Sequence, residues 1–133
     1  MPDRSLTLSL LPDIYAVCRL DGGAPVPAWA LSEGFSSITR TDDELSIVRA
    51  QRMIPDGVAA EREWRCLKVE GPLDFALTGV LAGIATTLAH ADVSIFAVST
   101  YDTDYILVKE QTLPHTIDAL SRQGYHIRIR IRA

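Results

Sequence analysis

Two aspartates, Asp102 and Asp104, stand two positions apart in the stretch STYDTDYILV, residues 99–108, with Ser99, Thr100 and Thr103 around them. They separate two runs that read as strands, VSIFAVS before and YILVKE after. Three chemistries suit such a set. Asp and Thr side chains bond nearby backbone N–H groups, which suits a turn. Paired carboxylates suit a hard cation, but only two ligands are local and His90, His115 and His126 are scattered, so the residue set argues against a metal. A carboxylate among hydroxyls also suits a cationic group of a ligand. Turn and ligand contact stay open at this point.

Other residues carry less. The sequence has no G-x-S-x-G, G-x-x-x-x-G-K-[ST], C-x-x-C or H-E-x-x-H, and no His lies near Ser99 or Thr100 in sequence. This reads as a non-enzymatic protein without a cofactor. Arg128, Arg130 and Arg132 form a comb that could touch nucleic acid, but the formal net charge of −4 favours a solvated strand face. The same charge disfavours an anionic membrane surface. FALTGVLAGIATTLAHA (75–91) is too short and too polar to span a bilayer, and the first residues show no long apolar run. Cys18 and Cys66, 48 positions apart, read as buried reduced thiols in a cytoplasmic protein.

The elements that position these residues follow from periodicity. LTLSLL (6–11) and IYAVCRL (14–20) read as two strands, the second ended by Asp21-Gly22-Gly23. PVPAWALS (25–32) could start a short helix. GFSSITRT and ELSIVRAQ flank Asp42-Asp43 as a hairpin, and IPDGVAAERE (54–63) reads as the connection between halves. EWRCLKVEG (63–71) alternates as a strand, broken by Gly71-Pro72. Asp74 can cap a helix whose first turn is Phe75-Ala76-Leu77. In that helix Leu77, Val80, Leu81, Ile84 and Leu88 form an apolar stripe, and Gly79, Ala82, Gly83 and Thr86 a small-residue face. Thr112 caps a second helix with Pro114 in its first turn and Gly124 at C′. HIRIRIR (126–132) closes as a period-2 strand, isoleucines on one face and arginines on the other.

The second half therefore reads β-α-β-β-α-β, the ferredoxin-like order. The loop EGPLDFA and the hairpin STYDTD then emerge at one end of the sheet. Free N–H groups at a helix N-terminus beside carboxylates match a zwitterion. If Tyr105 and Leu107 share one strand face, Asp104, Ile106 and Val108 share the other.

Residues 77–113, LTGVLAGIATTLAHADVSIFAVSTYDTDYILVKEQTL, resemble the amino-acid-binding ACT domain family, in the subgroup that contains the animal cytosolic arginine sensors. FSSITRTDDELSIV resembles, less specifically, the shortened first unit of the same subgroup. The resemblance implies an α+β chain of two tandem ferredoxin-like (βαββαβ) units, the first abbreviated: residues 1–60 and residues 61–133, antiparallel sheets with helices on one face. It implies an amino acid effector at the seam between units, a homodimer, and a regulated protein partner. Carried over onto this sequence, ligand contacts fall on Asp74, Phe75, Leu77 and Gly79, on Thr100, Tyr101 and Asp104 of the hairpin, and, from a neighbouring unit, on Ser94 and Ile95. Arginine-binding units have acidic character just ahead of the helix glycine. Here FALTG is apolar, and a smaller or apolar amino acid fits at least as well.

Overall fold

The structure, a computed structural model, describes residues 6–71 and 79–131. Along these residues the order is β1 (Thr7–Asp21), β2 (Ser36–Arg40), β3 (Glu44–Ala50), β4 (Ala60–Val69), α1 (Val80–His90), β5 (Phe96–Ser99), β6 (Asp104–Lys109), α2 (Leu113–Arg122) and β7 (His126–Ile129), with three short 3-10 turns between them. The chain divides into two compact units, one of residues 13–64 and one of residues 1–12 with 65–133. Strands β1 and β4 each contribute residues to both units.

In the unit of residues 13–64 the second half of β1 pairs antiparallel with β3, from Tyr15 opposite Ala50 to Asp21 opposite Glu44. Strands β2 and β3 form the expected hairpin, Ser36 opposite Arg49 through Arg40 opposite Leu45. Its turn is held by the Thr41 hydroxyl oxygen, which accepts the N–H groups of Asp43 (3.2 Å) and Glu44 (3.1 Å). Ala16, Cys18, Ala30, Leu45, Ile47 and Ile54 form the core here. PVPAWALS gives only a 3-10 turn, Ala28–Ala30. Arg49 is 1% exposed. Its Nε donates to Trp29 O (3.1 Å), Nη1 to Phe35 O (2.9 Å), and Nη2 to Glu33 O (2.6 Å) and Ser32 Oγ. A buried guanidinium is tolerable because these oxygens replace its water shell.

In the other unit the strand order is β7-β1-β4-β6-β5. The core lies on one face, where Leu8, Leu10, Leu67, Val69, Ile106 and Val108 meet Ile84 and Leu88 of α1 and Leu113 and Leu120 of α2. This is the β-α-β-β-α-β order read from sequence, an α+β fold with a mainly antiparallel sheet and two helices. Two expectations need correction. LTLSLL and IYAVCRL are one 15-residue strand, whose first half lies between β4 and β7. That strand pairs parallel with β7, Thr7 opposite His126 to Leu10 opposite Ile129, so the sheet is not wholly antiparallel.

The helix ends explain themselves. Both close by Schellman motifs: Val93 N–H donates to Leu88 O (2.9 Å) and Tyr125 N–H to Leu120 O (3.1 Å). The left-handed C′ residue is Gly124 in α2, as read from sequence, and Asp92 in α1, φ 59°. Val93 and Tyr125 then drop into the core. At the start of α2, Thr112 holds the N-cap position with proline in the first turn, but its hydroxyl donates to Lys109 O (2.9 Å) rather than capping the helix.

Candidate functional site

The hairpin forms as read. Strands β5 and β6 pair antiparallel from Phe96 opposite Leu107 to Ser99 opposite Asp104, leaving residues 100–103 as the loop. Thr100 N–H donates to Thr103 O (2.8 Å), the Thr100 hydroxyl donates to the same carbonyl (3.1 Å), and Thr103 N–H returns to Thr100 Oγ1 (3.3 Å). Thr103 is buried, and its hydroxyl donates to Val69 O at 2.5 Å. That bond ties the loop to the end of β4, the point from which the chain leads to α1. The end of β4 and the hairpin therefore share one end of the sheet.

Asp104 is half-buried on the same strand face as Ile106 and Val108, which pack under the helices. The period-2 separation from Tyr105 and Leu107 holds. Ser99, directly opposite, donates from Oγ to Asp104 Oδ1 at 2.6 Å. Tyr101, 84% exposed, and Asp102 project from the tip. On the other face burial holds the Tyr105 phenol above its ordinary value, helped by Cys66, Glu70 and Asp102 and opposed by Arg130. There Glu70 accepts from Arg130 Nη2 at 3.0 Å, and its carboxyl lies below the ordinary range, first through the Ser9 hydroxyl and then through Arg130 and Lys68 against the cost of burial.

Asp74, Phe75 and Leu77 lie outside the described residues, so the expected cap and first helical turn are not described. Gly79 is not inside a helix. It is the N-cap of α1 in the left-handed region, φ 88° and ψ −10°, a conformation glycine adopts without strain, and α1 starts after it at Val80. The first helical bond runs from Gly83 N–H to Gly79 O (2.8 Å), so the preceding N–H groups have no intrahelical acceptor. The small-residue face does exist, but as the wall of an open groove of about 520 Å³ between α1 and α2, lined by Gly79, Ala82, Gly83 and Thr86 opposite Ala119 and Arg122. Among the described residues, Gly79 is the one candidate contact that lines it.

Ser94 is exposed and Ile95 packs against the core. They follow the end of α1, whereas Gly79 precedes its start. Eleven residues of helix put roughly 16 Å between those ends. One unit thus brings Gly79 and the hairpin to one end and carries Ser94 and Ile95 at the other. Sequence reasoning named Ser99 and Thr103 only as neighbours of the aspartates. A four-residue loop puts 99 opposite 104, but the loop length is not fixed by the sequence, and the Thr103 bond to β4 carries no local signal.

Among the described residues no group of three or more His, Cys, Asp or Glu side chains could hold a metal ion, and no helix is long and apolar enough to cross a membrane. Cys18 and Cys66 are free and buried.

Comparison with known proteins agrees with this geometry. The ACT domain family profile matches residues 59–122, and a profile for an N-terminal domain matches residues 13–57. The cytosolic arginine sensor for mTORC1 subunit 1 of Mus musculus is 35% identical over 104 residues, 74% of this chain. The chain spans only 30% of that relative's length. A crystal structure of an Agrobacterium tumefaciens protein is 38% identical with a TM-score of 0.90, covering 96% of this chain and 95% of that one. The regulatory subunit of aspartate kinase from Thermus thermophilus, 11% identical, covers 87% of this chain and 96% of its own with a TM-score of 0.58, and so shares the fold. Through the strand-helix pattern of residues 59–122 and the hairpin it carries, the chain belongs to the ACT domain family.

Proposed function

We propose that this chain is a non-enzymatic regulatory ACT protein that binds a free amino acid at the seam between ACT units. The observation that carries the reading is the Thr103 to Val69 bond, which sets the Asp104 carboxylate at the end of the sheet from which the chain leads to α1. Helix N–H groups suit the ligand's carboxylate and Asp104 suits its cationic group. Gly79, Thr100, Tyr101 and Asp104 supply one side of the site, with Asp74, Phe75 and Leu77, which precede Gly79 in sequence. Ser94 and Ile95 come from a neighbouring unit, because they sit at the far end of α1. Residues 1–60 act as the abbreviated first ACT unit beside the ACT domain of residues 61–133, and two copies pair to complete the seams as a homodimer. A cytosolic setting and a regulated protein partner fit the name of the mouse relative.

A second reading is favoured by the hairpin's own bonds. Ser99 satisfies one oxygen of Asp104, and Thr100 and Thr103 satisfy each other, as a purely structural turn would require. Melting curves of the full chain against the free amino acids separate the two. A true ligand at about 100 times its dissociation constant stabilises by ~2.7 kcal/mol. Asp104→Asn should remove roughly 1.5–3 kcal/mol of that if a charge-assisted bond is lost, while Asp102→Asn leaves it nearly intact. Equal loss in both variants, or no shift with any amino acid, leaves the hairpin a turn.

A further inference from the structure

We propose that Ser99 is a specificity-determining residue of this site, and that through it Asp104 selects a primary ammonium group over a guanidinium. The inference rests on the amino-acid-binding reading above. Ser99 and Asp104 face each other across the last pair of the hairpin, and the Ser99 hydroxyl donates to Oδ1 at 2.6 Å. Oδ1 is thereby oriented and partly satisfied, and among the described residues Oδ2 accepts no hydrogen bond.

A guanidinium recognises a carboxylate as a planar fork, with two parallel N–H bonds that use both oxygens. The serine stands at one of those two positions. An ammonium group has no such requirement, being a compact point charge with three donors that can each seek a separate acceptor. Having given its proton to Oδ1, the Ser99 oxygen retains lone pairs and can itself accept. Oδ2 of Asp104 and Oγ of Ser99 then form a two-point acceptor for one –NH3+ group, the carboxylate supplying the charge. The pair lies on the helix-side face of the sheet, with Ser99 exposed and Asp104 half-buried, so the acceptor is reachable. The ammonium can be the α-amino group of any amino acid or the side-chain amine of a lysine-like one. Selection by this pair runs against a guanidinium side chain such as the one that gives the mouse relative its name.

The test uses the full chain and matched ligand pairs differing only at the cation. Each amino acid that raises the melting temperature is titrated by calorimetry beside its α-guanidino derivative, glycine with guanidinoacetate being the simplest. L-lysine is titrated beside L-homoarginine, which makes the same exchange at the side chain. Converting the ammonium that meets Asp104 should weaken binding about tenfold or more, the loss expected of one charge-assisted hydrogen bond. The pair that shows this loss identifies which amine is recognised. Ser99→Ala should narrow the preference to about threefold or less by freeing Oδ1 for a fork, and Ser99→Thr, which keeps the hydroxyl, should restore it. Melting curves of both variants without ligand report whether the fold is kept. Guanidinium ligands binding as tightly as their ammonium parents, or a preference unchanged in Ser99→Ala, overturns the inference and leaves the amino-acid reading standing. No calorimetric or melting response to any amino acid overturns that reading, and the inference with it.

Discussion

Replacing Thr103 by valine tests whether one hydrogen bond sets the position of the hairpin. The two side chains have nearly the same shape, so Thr103→Val removes the donor to Val69 O without opening a cavity. Thr103 is only 5% exposed, so water cannot readily take over that carbonyl. Removing one partner of a buried neutral hydrogen bond costs about 1–2 kcal/mol, chiefly the desolvation of the partner left behind. For a chain of this size that is a fall of roughly 3–10 °C in melting temperature. In urea the midpoint should drop with the slope unchanged, because the surface exposed on unfolding is the same. The control is Thr103→Ser, which keeps the hydroxyl and loses one methyl, at about 0.8 kcal/mol if that group is fully buried. Hydrogen exchange locates the effect. The Thr100 and Thr103 amides, bonded to each other across the loop, should exchange faster in the valine variant than in the serine one. If the valine variant matches the parent within about 0.3 kcal/mol and those amides keep their protection, the bond is incidental.

Three further outcomes follow from features away from the hairpin. Asp92→Gly should stabilise the chain by about 0.5–1 kcal/mol in urea unfolding, since it relieves a left-handed non-glycine residue and removes a carboxylate from a helix C-terminus. Glu70 is held below its ordinary value of 4.5, so it binds a proton more weakly folded than unfolded; the stability it adds is full above 4.5 and is lost as pH falls through its folded value. The stability difference between parent and Glu70→Gln should therefore be largest near neutral pH and shrink in acid, and a difference that grows in acid would contradict this. The Cys66 thiol is pushed up to about 12 by burial, so it should not react with a disulfide reagent at pH 8 until urea unfolds the chain.

The elements legible in the sequence were those whose ends and period agree. The second hairpin combined apolar runs with Asp and Thr at its turn, α2 had proline at its start and glycine at its C′ position, and β7 alternated without a break. Pro12 misled, because proline usually ends a strand. Here it falls between the residues of β1 that pair with β7 and those that pair with β3, where a missing N–H costs no bond in either ladder. The start of α1 was hidden for a related reason. Leu77, Val80 and Leu81 keep helical spacing straight through Gly79, so periodicity could not reveal that the glycine adopts φ 88°. The parallel pairing of β1 with β7 was beyond reach, since partners more than a hundred residues apart leave no local signal. At the site, parity placed Asp104 correctly, but the Ser99 bond to it depends on the loop length, which the sequence left open between turn types.

The Arg49 clasp bears on which parts of this chain tolerate substitution. Three of its four acceptors are backbone carbonyls, those of Trp29, Glu33 and Phe35. Every amino acid carries that atom, so the segment from 29 to 35 is held in shape almost regardless of its own side chains. The arginine has no such freedom, because no other residue presents donors in that fan. Saturation mutagenesis should find a largely permissive loop governed by one intolerant position far along the chain, with Gly34, at φ 95°, the core residue Ala30 and Phe35, edge-on to Tyr15, as the exceptions within it. Such an arrangement lets a surface segment diversify without risk to the fold beneath it.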